Sequence, residues 1–163
     1  MPQPQPQPQP LPTRDPLVAA SVYAEIQQFY ARQMHAIDSD DAEAWTNSFA
    51  EDGVFESNAL PEPGRGRAII GWGARKGIEE RASKGIVRRH VMTMLSAEDR
   101  GDGAVFTRSY VLVVETPPGG PSEIYINTTC EDVLIRDGES GAWQVRHRLV
   151  TRDDLLAVDS RSG

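Results

Sequence analysis

The sequence predicts a single α+β domain, with three N-terminal helices packed on a strongly curved, mainly antiparallel sheet. Three observations predict it. Apolar residues recur at helical spacing after a proline-rich start, they switch to alternation over four long runs in the second half, and those runs are joined by short Gly-, Pro- and Asp-rich links. Short links join antiparallel neighbours and leave no room for crossover helices, so helices followed by a meander make an α+β pattern. A chain of 163 residues has room for one ordinary domain.

Residues 1–15 read as a tail. The opening MPQPQPQPQPLPTRDP alternates proline with polar residues and offers no apolar face, so solvated polyproline II is expected there. Residues 16–156 are expected to form the domain, and 157–163 a second short tail. Asp15-Pro16 reads as an N-cap followed by proline at the first helical position. Val18, Val22, Ile26, Phe29, Met34 and Ile37 then place a helix over 16–38. Residues 42–50, carrying Trp45 and Phe49, form a second helix after Ser39-Asp40-Asp41. Glu51-Asp52-Gly53 reads as a turn and 54–56 as a short strand. LPEPGRGR at 60–67 is a Pro/Gly loop. A third helix spans 68–83 through Ile69, Ile70, Trp72 and Ile78, although Gly71, Gly73 and Gly77 each weaken it by about 1 kcal/mol relative to alanine. The runs 86–97, 104–116, 122–136 and 142–151 read as strands turned by DRGDG, PPGG and DGESG. A helical layer on one face of a curved sheet leaves a cone between them, which makes a natural small-molecule pocket.

Composition narrows the function. Net charge is −7, which disfavours a nucleic-acid binder working through a broad positive field. No apolar run approaches the roughly 18–20 residues of a membrane span, and no basic start precedes an apolar stretch. Cys130 is the single cysteine and there are three histidines, so neither an internal disulfide nor a metal centre is expected. Gly64-Arg65-Gly66-Arg67 lacks both a preceding strand and the Lys-Ser/Thr of a phosphate loop. The expectation is a cytoplasmic protein without cofactor, nucleic-acid partner or membrane.

With the elements in this order, the chain resembles the SnoaL-like branch of the nuclear-transport-factor-2-like superfamily. The likeness is carried by Ile37-Asp38, Trp45, the run Phe49-Ala50-Glu51-Asp52-Gly53-Val54-Phe55, Arg89-His90, and Trp143, Val145, Arg148 and Asp153 near the end. Within that branch it resembles small tailoring proteins of aromatic-polyketide clusters of the actinorhodin type. Residues 29–35 (FYARQMH), 60–63 (LPEP) and 150–155 (VTRDDL) suggest this. The resemblance implies a cystatin-like α+β barrel with a cone-shaped pocket, a homodimer through the sheet, and an aromatic polyketide intermediate as ligand. A dehydratase, cyclase or isomerase is implied. So is the alternative of a binding protein that presents an intermediate to a tailoring reductase or oxygenase.

His90 is the first candidate. On a strand it shares a face with Met92 and Met94, a soft surface for a flat ligand, and imidazole titrates nearest neutrality. The resemblance extends to the more distant scytalone dehydratases, whose catalytic strand histidine His90 matches. Asp38 ends the first helix, where the family places an aspartate that pairs with that histidine; the alternative is a cap on the next helix with Ser39 and Asp40. Glu115, among Val111 and Val113, matches a second histidine of those enzymes and is either a general acid or the exposed end of a strand. Their tyrosines fall on Ile37 and Glu56, leaving Glu56 as a substitute for one phenol. His147 shares a face with Trp143, Val145 and Leu149 and is a candidate for substrate contact. Arg146, Arg148 and Arg152 fall on the opposite face, solvated or paired with Glu131 and Asp132. Tyr30, Trp45, Trp72 and Tyr110 are the large amphipathic groups available to line the pocket.

Overall fold

The computed structural model describes residues 16–156. The sequence expectations for 1–15 and 157–163, including the Asp15 cap, lie outside them. Three helices, α1 (Ala20–Asp38), α2 (Ala42–Asn47) and α3 (Arg67–Ser83), precede or interrupt a six-stranded sheet. Its strands are β1 (Phe49–Ser57), β2 (Gly64–Arg65), β3 (Val87–Asp99), β4 (Val105–Thr116), β5 (Glu123–Arg136) and β6 (Trp143–Arg152), arranged β2-β1-β6-β5-β4-β3. The β3–β6 meander is antiparallel throughout, while β1 joins β6 in parallel, so the sheet is mixed. The sheet stays open, with α1 lying against β3 and α3 against β1 on one face.

The helices follow from their apolar stripes. Ile26, Tyr30, Gln33 and Met34 of α1 are buried at three- and four-residue steps. This helix starts four residues later than Pro16 suggested. Residues 16–18 are instead extended along the end of the edge strand β3, where Val18 N donates to Ala97 O at 3.2 Å and Asp99 N to Pro16 O at 2.7 Å. Asp41 caps α2 by accepting from Ala44 N at 2.9 Å. Gly71 is what lets α3 lie close to α2, because a Cβ there would meet Thr46 Oγ1 at 3.0 Å.

The expected turn at Glu51-Asp52-Gly53 is instead strand. β1 begins at Phe49 and carries an irregularity between Phe49 and Val54 in its pairing with β6. Gly53 is required there, since a Cβ would stand 2.9 Å from Ala50 O and 3.2 Å from Val145 O. The core joins Ile26, Tyr30, Trp45, Phe49, Ile70, Ala97, Val105, Leu134, Trp143 and Val145. Above this plug, toward the start of β3 and the end of β6, the space between helices and sheet is unfilled.

Candidate active site

Two connected chambers occupy that space. The inner one, about 210 Å³, is lined by Met34, Ile37 and Trp45 from the helical side and by Phe55, His90, Val113, Thr128, Cys130 and Arg148 among others from the sheet. The outer one, about 560 Å³, runs between α3 and the 60–64 loop, shares Trp45, Phe55, Arg88 and His90 with the first, and includes Ile69 and Trp72. The outer chamber alone falls in the roughly 300–1,000 Å³ range of small-ligand sites.

At their junction stands His90. Its Nδ1 is 2.6 Å from Asp38 Oδ1, and its backbone N donates to Asp38 Oδ2 at 3.0 Å. One carboxylate therefore holds both the strand and the ring of the same residue. Asp38 can do this because α1 ends on it, while capping of α2 falls to Asp41 and Asp40 pairs with Arg81. In the neutral tautomer that donates Nδ1–H to the carboxylate, Nε2 is the ring atom left to take a proton. The Asp38 side chain is 8% exposed and that of His90 23%, so the pair is shielded yet reachable from the cavity.

The inner chamber's other polar groups include three arginines. Arg88 donates from Nε to Glu115 Oε1 at 3.0 Å, and its Nη2 contacts the same oxygen. Arg152 is paired with Asp154, and Arg148 with Asp132. Among the described residues no carboxylate lines this chamber. Beneath it lies a buried network. Arg148 Nε and Nη2 donate to Asp132 Oδ1 and Oδ2 at 2.9 and 2.7 Å, and Nη2 also donates to Gln33 Oε1 at 2.7 Å. Tyr30 donates to Asp132 Oδ2 at 2.7 Å and lies 2.6 Å from Thr107 Oγ1. Burial, then the Asp132 charge, pushes the Tyr30 phenol well above its ordinary pKa. Burial opposes the charge of Arg148 most strongly, but Asp132 together with Cys130 and Tyr30 raises that pKa overall.

Several expected site residues stand elsewhere. Tyr30 is buried in this network beside α1 and lines neither chamber. Glu115 holds Arg88 in place at the cavity mouth and is not among the residues lining either chamber. Tyr110 projects from the outer face of the sheet, opposite the inward Val111 and Val113. The strand alternation that put Met94 beside His90 breaks at an irregularity between Thr93 and Ser96, where Met94 takes φ +53° and is 73% exposed. Met92 stays inward but packs on the core under α1.

His147 and Arg148 are exchanged relative to the expected alternation. The register of β5 against β6 shifts between Leu134–Val145 and Val133–His147, so Val145 and Arg148 both point inward with two residues between them. This bulge turns His147 outward, where its Nε2 lies 2.9 Å from Glu56 Oε2. Glu56 is therefore also on the outer face, between the inward Phe55 and Ser57. Trp45 lines both chambers and Trp72 the outer one. Arg88, Arg148, Arg152 and Cys130 are lining residues that were not among the expected site residues.

An open-sheeted α+β cone with an imidazole–carboxylate pair at the throat of its cavity is the architecture of the nuclear-transport-factor-2-like class. Residues 18–149 match the profile of the SnoaL-like domain, and the chain belongs to that family. It is similar to solved structures of Aln2 from a Streptomyces species (32% identity, 85% of this chain and 96% of that one, TM-score 0.78) and of ActVI-ORFA from Streptomyces coelicolor (31%, 83% and 99%, 0.75). A protein from Catenulispora acidiphila solved in complex with S-DNPA is similar at 35% identity, over 83% of this chain and 96% of that one, with TM-score 0.72. Structures below 25% identity, some described as cystatin-like, share the architecture. No curated protein matches. Among the described residues no helix is long and apolar enough to cross a membrane, and no group of three His, Cys, Asp or Glu side chains could hold a metal ion.

Proposed function

We propose that the domain is a cofactor-independent dehydratase, cyclase or isomerase of antibiotic biosynthesis, acting on a flat aromatic polyketide intermediate. The observation that carries this is the Asp38–His90 pair, with Nδ1 engaged and Nε2 left for substrate at the throat of the cavity. The resemblance to actinorhodin-type tailoring proteins, the likeness to ActVI-ORFA and the S-DNPA bound by one relative support this substrate class.

In the dehydration case, His90 Nε2 removes the proton from carbon next to a ketone, giving an enolate and an imidazolium that Asp38 stabilises. The imidazolium returns its proton to the β-hydroxyl as the C–O bond breaks, so water leaves and His90 is neutral again. In an isomerisation the same proton returns to carbon. Apolar walls such as Trp45, Phe55 and Val113 exclude water and hold the flat rings in one pose. Incubating the purified protein with such an intermediate should change the product mass catalytically. Stabilisation of the fold by the ligand without turnover would instead identify a binding protein that presents the intermediate to a tailoring reductase or oxygenase.

A homodimer belongs to the same proposal. Val91, Tyr110, Ile124 and Tyr125 are 44–64% exposed on or beside the outer sheet face. Light scattering should give twice the chain mass at micromolar concentration, and a monomer mass would refute it.

A further inference from the structure

We infer that Arg148 is a substrate-binding residue, whose Nη1 donates to a carbonyl or phenol oxygen at the buried end of the aromatic ligand. Two facts lead there. Arg148 is 3% exposed and spends Nε and Nη2 on Asp132 and Gln33, leaving Nη1 with no hydrogen bond among the described residues. Yet no buried side-chain nitrogen or oxygen among them lacks a partner. Nη1 therefore has accessible surface, and the accessible space beside this buried side chain is the inner chamber that Arg148 lines.

The rest of the guanidinium is fixed for the task. Asp132 grips it side-on through two bonds, Gln33 adds a third, and the cation sits 5.4 Å from the Phe49 ring centroid. A donor held this rigidly loses little entropy on binding, and in a water-poor chamber its charge is weakly screened. The other arginines of the chamber do not share these features, since Arg88 and Arg152 have side chains about one-quarter exposed. Because Arg148 pairs with Asp132, far along β5 from the Ile126 row that faces His90, the two residues mark opposite ends of the cavity. A ligand would be anchored by oxygen at the Arg148 end and worked on at the His90 end. This inference rests on the cavity holding an aromatic ligand, as proposed above.

The test compares two probes of nearly equal shape, α-tetralone, which carries a ring carbonyl, and tetralin, which lacks it. By titration calorimetry the wild-type protein should prefer α-tetralone roughly tenfold or more, as expected for a charge-assisted hydrogen bond. Arg148→Lys keeps a cation for Asp132 but not the guanidinium fork, and should lose most of that preference; His147→Gln, on the outer face, should retain it. Equal affinity of the wild type for both probes, or an undiminished preference in Arg148→Lys, overturns the inference while leaving the aromatic cavity standing. Failure of both probes to bind overturns the cavity reading itself. If Arg148→Lys does not fold, isotope-labelled arginine in the wild-type protein decides the matter by NMR. The Arg148 guanidinium signals should move with α-tetralone and not with tetralin, and no movement refutes the contact.

Discussion

The two faces of the sheet carry the same pair of groups in different surroundings. On the inner face Asp38 and His90 meet at 2.6 Å with side chains 8% and 23% exposed; on the outer face Glu56 and His147 meet at 2.9 Å with side chains 34% and 43% exposed. The inner carboxylate also takes the backbone N–H of its histidine, fixing ring and strand together. Glu56 holds only a ring nitrogen. The difference teaches that an imidazole–carboxylate contact becomes a site through its setting. It needs a shielded carboxylate, a free second nitrogen and an adjoining cavity that keeps water out. The inner face adds a buried ionic floor, where Asp132 is 1% exposed, whereas the outer face offers exposed apolar side chains.

That contrast can be broken most forcefully at the floor. Asp132→Ala leaves the Arg148 cation buried without its partner and should cost about 3–5 kcal/mol, a large share of a domain's roughly 5–15 kcal/mol. Urea unfolding measures it. A loss near that of a surface pair would show that the floor is wet and that the two faces are less different than their burial implies. Next in size is His90→Gln, which keeps size and hydrogen bonding but removes titration near neutrality. Turnover should fall roughly 10²–10⁴-fold with the fold retained, Asp38→Asn should lose less, and the double variant should fall short of additivity. Near-full turnover in a folded His90→Gln protein would remove the catalytic reading.

Much of the fold was legible because turn chemistry and strand alternation are local signals. DRGDG, PPGG and DGESG bounded β3 to β6 to within a residue or two. The inner and outer faces were harder to assign, since a one-residue irregularity reverses every side chain beyond it. The bulge near Arg146 exchanged His147 for Arg148, and the one at Met94 removed a residue from the expected ligand surface. Gly53 resembled turn chemistry, whereas the strand needs it for the close backbone approach that a Cβ would block. The Asp38–His90 contact spans 52 positions and has no local signature, so only the family resemblance pointed to it. The Asp132 pairing of Arg148 was within reach as a cross-strand charge match, but its depth was not.

Alkaline pH sharpens the contrast at intermediate size. Burial first, and the Asp132 charge second, raise the pKa of both the Tyr30 phenol and the Cys130 thiol above their ordinary 10.0 and 9.0. The folded protein therefore keeps protons that the unfolded chain has released. The stabilisation is fully present below about pH 9 and is lost as pH rises, by up to about 1.4 kcal/mol per pH unit for each group. Urea midpoints measured from about pH 8 to 11 should fall accordingly. Cys130→Ala should remove the thiol's share of that slope. An unchanged slope would mean that the thiol is not shielded in the way its position beneath the cavity implies.

The smallest effect belongs to the outer pair, and it is the most direct check on the comparison. His147→Gln alters the same chemical contact as His90→Gln, on a strand that also supplies Val150 and Arg152 to the cavity. If setting decides function, the outer change should leave turnover within about twofold and stability within roughly 0.5 kcal/mol, the usual range for a surface substitution. Both variants must be measured with the same substrate and at matched folding, because destabilisation alone lowers activity. A large loss of turnover in a folded His147→Gln protein would mean that the outer face reaches the chemistry, for instance across a dimer interface. The asymmetry between the two histidines would then have to be drawn from the assembled protein rather than from the single chain.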